Sequence, residues 1–157
     1  IELHRARAPG ATLLPLFEAE IAFAANDHLG TLDALARCDR WAVVNTERRV
    51  RYEFLQIRSL AGLRRWSEAL AVARRSTEID GDPFYEAYVN IMRRDVASAT
   101  RDVSSCLALG PYDLRVFYGD GEMGPVLRSR DFEPFRSIHP DPRATPPETG
   151  DELTSLK

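Results

Sequence analysis

The stretch RWSEALAVARRSTEID, residues 65–80, carries the pattern from which the architecture of this chain can be predicted. Its apolar residues recur every three or four positions, which is the spacing of an amphipathic helix. DVASATRDVSSCLALG, residues 95–110, repeats the pattern, and a weaker copy starts at Asp27. Both full copies place a bulky residue three positions before a small alanine. A small residue lets a second helix approach closely, so each copy is predicted to pack within a helical hairpin.

In the sequence around this repeat, glycine and proline are rare between Ala11 and Leu109. The apolar residues there do not alternate with polar ones as they would in a strand, so the helical spacing is the only regular pattern. The sequence predicts an all-α fold with six helices at about 11–25, 28–38, 47–63, 66–79, 85–92 and 95–109. Short connections place consecutive helices as antiparallel neighbours. Gly110 and Pro111 are typical of a helix end, because glycine caps the last turn and proline cannot continue it.

The length of 157 residues corresponds to one domain. We expect an N-terminal extension at 1–10, a helical domain at 11–138 and a disordered tail at 139–157, where prolines and acidic residues dominate. The first residue is isoleucine, which leaves open that the chain is a piece of a longer protein.

The overall composition excludes several classes of protein. A net charge of -3 does not fit a strongly basic nucleic-acid binder, so nucleic acid is not the expected partner. Two cysteines are too few for a disulfide scaffold, which favours a reducing, cytoplasmic location. No apolar run reaches the 18 or more residues of a membrane span, so no membrane partner is expected.

The copies of the pattern begin near Asp27, Arg65 and Asp95. The two spacings between them lie on either side of the roughly 34-residue period of the tetratricopeptide repeat. Over residues 11–138 the chain resembles a protein of that family. The resemblance implies a right-handed superhelical stack of about three antiparallel hairpins, and a generic helical solenoid of different geometry stays an alternative. Arg64 and Arg94 depart from the family pattern, because glycine is common at those positions.

The segment that follows the last repeat also resembles a known arrangement. Ala108–Asp113, Met123–Leu127 and Arg130–Phe135 are similar to the end of tetratricopeptide arrays in bacterial proteins. The resemblance implies that short apolar turns cover the final hairpin.

In this family the first helix of each hairpin lines a concave groove that binds a protein or peptide. The resemblance therefore implies a non-catalytic scaffold, and the positions matched here are Leu16, Glu20, Phe23, Arg51, Phe54, Arg58, Phe84, Tyr88 and Met92. Arginines beside an aromatic ring suit an acidic partner segment. The lysines and asparagines with which some family members clamp a terminal carboxylate are not at the matching positions, so that specificity is not expected.

Charge is concentrated in residues 47–75, where eight arginines face three glutamates. One interpretation is an acidic partner docking on these arginines, because guanidinium binds carboxylate in a two-pronged fashion. The other is a solvated face neutralised by ion pairs within the chain.

No motif in the sequence predicts catalysis, a cofactor or a metal site. Gly119, Gly121 and Gly124 match the glycine spacing of a dinucleotide loop, but the motif needs a strand before it, and here a helical turn is expected. Asp27 is interpreted as a helix cap, and Cys38 and Cys106 as small apolar residues.

Two rival functions stay open at this level. The chain could be the C-terminal regulatory part of a larger bacterial kinase, cyclase or transcription regulator. It could also be a small helical enzyme or nucleic-acid-binding protein.

Overall fold

The computed structural model describes residues 14–38 and 46–144. Within these ranges the chain forms α-helices and one short 3-10 helix at Arg130–Phe132, and it contains no strand. The helices are α1 Leu14–Ala24, α2 His28–Ala36, α3 Thr46–Gly62, α4 Trp66–Asp80, α5 Phe84–Met92, α6 Val96–Leu109, α7 Leu114–Gly119, α8 Met123–Leu127 and α9 Glu133–Ile138. The prediction of an all-α chain with six helices up to Leu109 is therefore confirmed for the described residues.

The six long helices pack as three hairpins in chain order. α1 packs against α2, α3 against α4, and α5 against α6. Each hairpin then contacts the next, through α2 with α3 and α4 with α5, and the first helices of neighbouring hairpins also touch. Because each hairpin is amphipathic, this arrangement covers apolar faces that no single hairpin can bury alone.

The small residues of the repeated sequence lie at the contacts within these hairpins. Ala69 and Ala99 are fully buried, and Thr31 occupies the equivalent buried place in α2. The prediction that both alanines are buried is confirmed. Their short side chains let the two helices of a hairpin approach closely.

The three hairpins use the same backbone turn. Residues 25–27, 63–65 and 93–95 connect their helices, and the middle residue of each has a positive φ: 61° at Asn26, 57° at Arg64 and 63° at Arg94. The next residue donates its N–H to the carbonyl five positions back, at 2.8 to 2.9 Å. This is the left-handed turn that commonly ends a helix. Glycine adopts this conformation most readily, whereas Arg64 and Arg94 occupy it here.

Replacing Arg64 by glycine is expected to raise the free energy of unfolding by about 0.5 to 1 kcal/mol. The left-handed conformation costs a non-glycine residue about 1 to 2 kcal/mol, and glycine's greater freedom in the unfolded chain offsets part of the gain. Arg64 has no ion-pair partner among the described residues, so little else is lost. Urea denaturation measures the change. The same substitution at Arg75, inside α4, is the control, and it should lower stability by about 1 kcal/mol. A loss of stability at both positions would contradict the prediction.

The chain after α6, residues 110–138, which we call the closing segment, forms part of the main core. α8 contacts α5, and α9 contacts α6. Phe117, Met123, Leu127, Phe132 and Phe135 are fully buried. They join the second and third hairpins in one continuous cluster. The expectation that short apolar turns cover the final hairpin agrees with this packing.

The structured part of the chain continues past the predicted boundary at residue 139. His139 is only 7% exposed, and its carbonyl accepts a 2.7 Å hydrogen bond from the hydroxyl of Tyr118. Asp141 accepts a 2.7 Å bond from Arg128. The prediction that disorder begins at residue 139 is therefore wrong for residues 139–141, because His139 and Asp141 bond to Tyr118 of α7 and to Arg128. The predicted extension at 1–10 and the tail beyond residue 144 lie outside the described residues.

No helix in the described part of the chain is both long enough and apolar enough to cross a bilayer.

Candidate partner-binding face

Side chains predicted to line a groove meet where α3 contacts α1 and α5. We call this surface the odd-helix face and define it by Glu20, Phe23, Arg51, Phe54 and Arg58, together with Glu122 from the closing segment. α3 runs along its middle, because α3 contacts both α1 and α5. Arg51, Phe54 and Arg58 lie three, four and seven positions apart on α3, so they share one side of that helix.

Arg58 is the centre of this face. Its guanidinium carbon lies 4.6 Å from the centre of the Phe23 ring and 5.4 Å from the centre of the Phe54 ring. The cation is thus held against one ring from α1 and another from its own helix, an arrangement that stabilises positive charge. Its side chain is only 26% exposed. Both features fix the guanidinium in place.

The guanidinium of Arg58 is engaged by a carboxylate from the closing segment. Its Nε lies 3.0 Å from Glu122 Oε2, and its Nη2 lies 2.9 Å from Glu122 Oε1. The hydroxyl of Tyr88 donates a 2.6 Å hydrogen bond to Oε2 of the same carboxylate. Glu122 therefore meets a two-pronged cation and a neutral donor, which is a strong arrangement for binding a carboxylate.

The acid–base properties of these groups follow from this contact. Burial disfavours the charge of Arg58, but the hydrogen bond and the negative charge of Glu122 outweigh it and raise the pKa of Arg58. Burial, and next the hydrogen bond to Glu122, raise the pKa of Tyr88 above its ordinary value. Arg58 therefore keeps its charge and Tyr88 keeps its proton, so both remain donors to a carboxylate at neutral pH.

The turn that carries Glu122 is held by its own residues. The Asp120 side chain accepts hydrogen bonds from the backbone N–H groups of Glu122 and Met123, both at 2.8 Å. A Cβ on Gly124 would lie 2.5 Å from the carbonyl oxygen of Tyr118, so only glycine fits there. In a dinucleotide loop such amides bind phosphate, and here Asp120 occupies two of them. The motif is thus a turn that positions Glu122.

A second arginine on this face also forms an ion pair with a carboxylate. Arg51 on α3 forms an ion pair with Glu20 on α1, and the Arg51 side chain is half exposed. In residues 47–75, five of the eight arginines have a carboxylate partner among the described residues; they are Arg49, Arg51, Arg58, Arg65 and Arg74. Much of the positive charge in this segment is therefore neutralised within the chain.

Four residues predicted to line the groove do not lie on open surface. Leu16 is 7% exposed and belongs to a small N-terminal core with Ala19, Ala34 and Leu35. Tyr88 is 1% exposed and offers only its hydroxyl to the face. Phe84 and Met92 are partly buried against the main core. The prediction that these side chains line a groove is wrong for Leu16 and for the Tyr88 ring, because both fill the spaces between packed helices.

Phe84 is covered by the closing segment. Its ring stacks on Tyr112 with centroids 5.3 Å apart and an angle of 12° between the ring planes, and it lies 5.7 Å from Phe117. The hydroxyl of Tyr112 in turn donates a hydrogen bond to Asp82. This end of α5 is therefore closed by the chain itself, and the accessible part of the face lies on α1 and α3.

Sequence reasoning did not identify Glu122. It lies 64 positions from Arg58, within the glycine-rich stretch of residues 119–124. No local pattern links it to α3. The one available signal was the acidic character of the chain after residue 76, opposite in sign to the arginine-rich segment before it.

Two further reactive side chains of the described residues, Ser104 and Cys106, are accounted for by local contacts and burial. Ser104 Oγ and His139 Nε2 are 2.9 Å apart, but the Ser104 hydroxyl donates its proton to the Thr100 carbonyl at 2.8 Å. The Ser104 hydroxyl is therefore engaged by the backbone of its own helix. Burial raises the pKa of the Cys106 thiol to about 12, which keeps the thiol protonated.

Metal binding is not indicated by the geometry of the described residues, where no three histidine, cysteine, aspartate or glutamate side chains cluster. Asp27 accepts a 2.8 Å hydrogen bond from the N–H of Gly30 and caps α2. Its predicted role as a helix cap is confirmed.

A cavity of about 260 Å³ lies between α2, α3 and α4, away from the odd-helix face. Leu32, Leu35, Leu60 and Val72 line it together with Gln56, whose side-chain oxygen is buried without a hydrogen-bond partner. The cavity is somewhat smaller than most small-molecule sites, which are about 300 to 1,000 Å³.

The fold and this face define a class: an all-helical protein of three packed hairpins with an arginine-bearing face formed by their first helices. No family model, curated protein or solved structure matches the chain.

Proposed function

We propose that the chain is a non-catalytic binding scaffold of the tetratricopeptide type, with its hairpins in a right-handed superhelical stack. Its odd-helix face binds an acidic segment of a protein partner. The observation that carries the proposal is Arg58, whose guanidinium is held between two aromatic rings and presented to a carboxylate. The common turn of the three hairpins and the shared burial of Ala69 and Ala99 support the repeat assignment.

The spacing of the two arginines defines the partner's chemistry. Arg51 and Arg58 are seven residues apart on α3, which corresponds to about 10 Å along the helix axis. Two carboxylates at positions i and i+3 of a polyproline II segment are about 9 Å apart and lie on the same side, because that helix has three residues per turn. A segment with acidic residues at that spacing therefore fits both arginines. The half-buried rings of Phe23 and Phe54 provide apolar contact between them.

A peptide-binding measurement tests this function. The probes are fluorescent peptides with two glutamates at i and i+3 and varied apolar residues between them, and matched peptides with glutamine in place of both glutamates. We expect the glutamate peptides to bind more tightly. Neutralising both arginines with Arg51→Gln and Arg58→Gln is expected to weaken binding at least about tenfold, because two charge-assisted contacts are lost. Glutamine is preferred to glutamate here, since a carboxylate at position 58 would repel Glu122.

The matched control removes the same charge elsewhere. Arg75 on α4 and Arg130 in the closing segment are exposed, and neither has a carboxylate partner among the described residues. The double variant Arg75→Gln and Arg130→Gln is expected to bind as the unaltered chain does. Equal binding of glutamate and glutamine peptides, or equal affinity in both double variants, would contradict an acidic-segment site on this face.

A further inference from the structure

We infer that Glu122 is an internal competitor for the partner's carboxylate, so that the closing segment regulates access to Arg58. The inference rests on the proposed function of the odd-helix face. In the free chain the Glu122 carboxylate fills the place between Arg58 and Tyr88. In the complex an acidic side chain of the partner takes that place, and Glu122 turns out to solvent.

The site that Glu122 fills is built from parts that are held without it. Tyr88 is buried in α5 and its ring is packed against Phe54, with centroids 5.5 Å apart. The rings of Phe23 and Phe54 hold the Arg58 guanidinium. None of these contacts involves Glu122, so the donors keep their positions when its carboxylate leaves.

Glu122 itself is suited to leave. Its side chain is 34% exposed, and its carboxylate contacts only Arg58 and Tyr88 among the described residues. Its backbone is held by Asp120 and by the packing of α8 on α5. Rotation of one side chain therefore frees Arg58 without unfolding the closing segment.

The neighbouring ion pair provides an internal comparison. Glu20 also pairs with an arginine of the odd-helix face, but among the described residues no second group donates a hydrogen bond to its carboxylate, and Arg51 is half exposed. A partner meets little competition at Arg51, because exposed ion pairs are weak and exchange readily. Arg58 is the point at which internal competition controls affinity.

The competition has a measurable consequence. When an internal group occupies a site, an external ligand can bind only while the site is vacant. The observed affinity is therefore the intrinsic affinity multiplied by the fraction of time that the site is vacant. Removing the competitor with Glu122→Ala is expected to tighten binding of the i, i+3 glutamate peptide about tenfold, since a two-pronged contact with a charged group favours the occupied state by that order. Glu20→Ala removes the same charge from the same face and is expected to change the affinity less than threefold, which is about the effect of an exposed pair.

A second measurement examines the site without any peptide. Sodium acetate is the probe, titrated at constant ionic strength with sodium chloride, and the NMR signal of the Arg58 Nε–H group is the readout. In Glu122→Ala we expect this signal to shift saturably with acetate. In the unaltered chain and in Glu20→Ala it should stay constant, because Glu122 still occupies the site. Tyr88→Phe combined with Glu122→Ala should weaken the acetate response, since one donor is lost.

Each outcome bears on the inference. Tighter peptide binding together with an acetate response in Glu122→Ala supports it. Unchanged peptide affinity in that variant overturns the competition, while the proposed function still stands or falls on the Arg51→Gln and Arg58→Gln measurement. If Glu122→Ala unfolds, Glu122→Gln keeps the size of the side chain without its charge. Loss of the folded closing segment in both variants would show that Glu122 is a structural ion pair, and the inference would be wrong.

Discussion

Replacing Phe117 by alanine is expected to lower the free energy of unfolding by about 3 to 5 kcal/mol. The ring is fully buried between α5 and the closing segment, with ring centres 5.7 Å from Phe84 and 6.2 Å from Tyr112. Truncation removes this apolar surface and leaves a cavity that close-packed helices fill only in part. The loss is large because α7 belongs to the same core as the second and third hairpins.

Val116 provides the matched control for this change. It is the preceding residue of α7 and is 41% exposed, so Val116→Ala removes a side chain that contributes little to the core. Its cost is expected to stay below about 1 kcal/mol. Urea denaturation followed by circular dichroism measures both variants, and an unchanged slope with a shifted midpoint shows that stability alone has changed. Similar small losses at both positions would show that the closing segment lies outside the cooperative core.

Enlarging the alanine at either hairpin contact is expected to cost about 1 to 3 kcal/mol. Ala69 and Ala99 are fully buried where the two helices of a hairpin meet, so a leucine side chain must displace a helix or adopt a strained rotamer. The two sites lie on α4 and α6, in different hairpins. Comparable losses from Ala69→Leu and Ala99→Leu would support equivalent roles in a repeat.

The controls for the alanine changes lie two residues away on the same helices. Ala71 on α4 and Ala97 on α6 are exposed, so a leucine side chain at either position extends into solvent. Alanine and leucine are both good helix formers, so the helices are preserved. Ala71→Leu and Ala97→Leu are expected to change stability by less than about 0.5 kcal/mol. Thermal or urea unfolding compares each pair. If the buried and exposed changes have the same effect, close helix contact at the small residues is not what holds the hairpins together.

The helices were predictable because their signals are local. The three- and four-residue spacing of apolar side chains, the cap at Asp27, and the glycines at 81 and 110 act within a few residues. Both glycines have positive φ at the ends of α4 and α6, as a helix-ending glycine should. The repeated bulky and small residues likewise placed Ala69 and Ala99 at buried contacts. Each of these inferences needs only the geometry of one helix or one turn.

The site was predictable only in part. The helical face that joins Arg51, Phe54 and Arg58 follows from spacing along α3. The rings on either side of Arg58 come from two different helices, however, and the burial of Leu16 and Tyr88 depends on which neighbours cover them. A position counted along one helix does not reveal whether a neighbouring helix leaves it open.

Tertiary packing selected the partners of the charges that pair between distant parts of the chain, such as Arg58. The sequence shows 21 basic and 24 acidic residues, and many pairings between them are compatible with the same helices. Arg58 meets Glu122 because α8 packs on α5 and the turn at Asp120 directs Glu122, two residues further on, toward α3. Coulomb attraction acts between any two charges that the fold brings close, whatever their separation in the sequence. The sequence patterns that determine a helix act only over one or two turns. The helices could therefore be located from the order of the residues, while the pairing of Arg58 with Glu122 depended on how those helices pack.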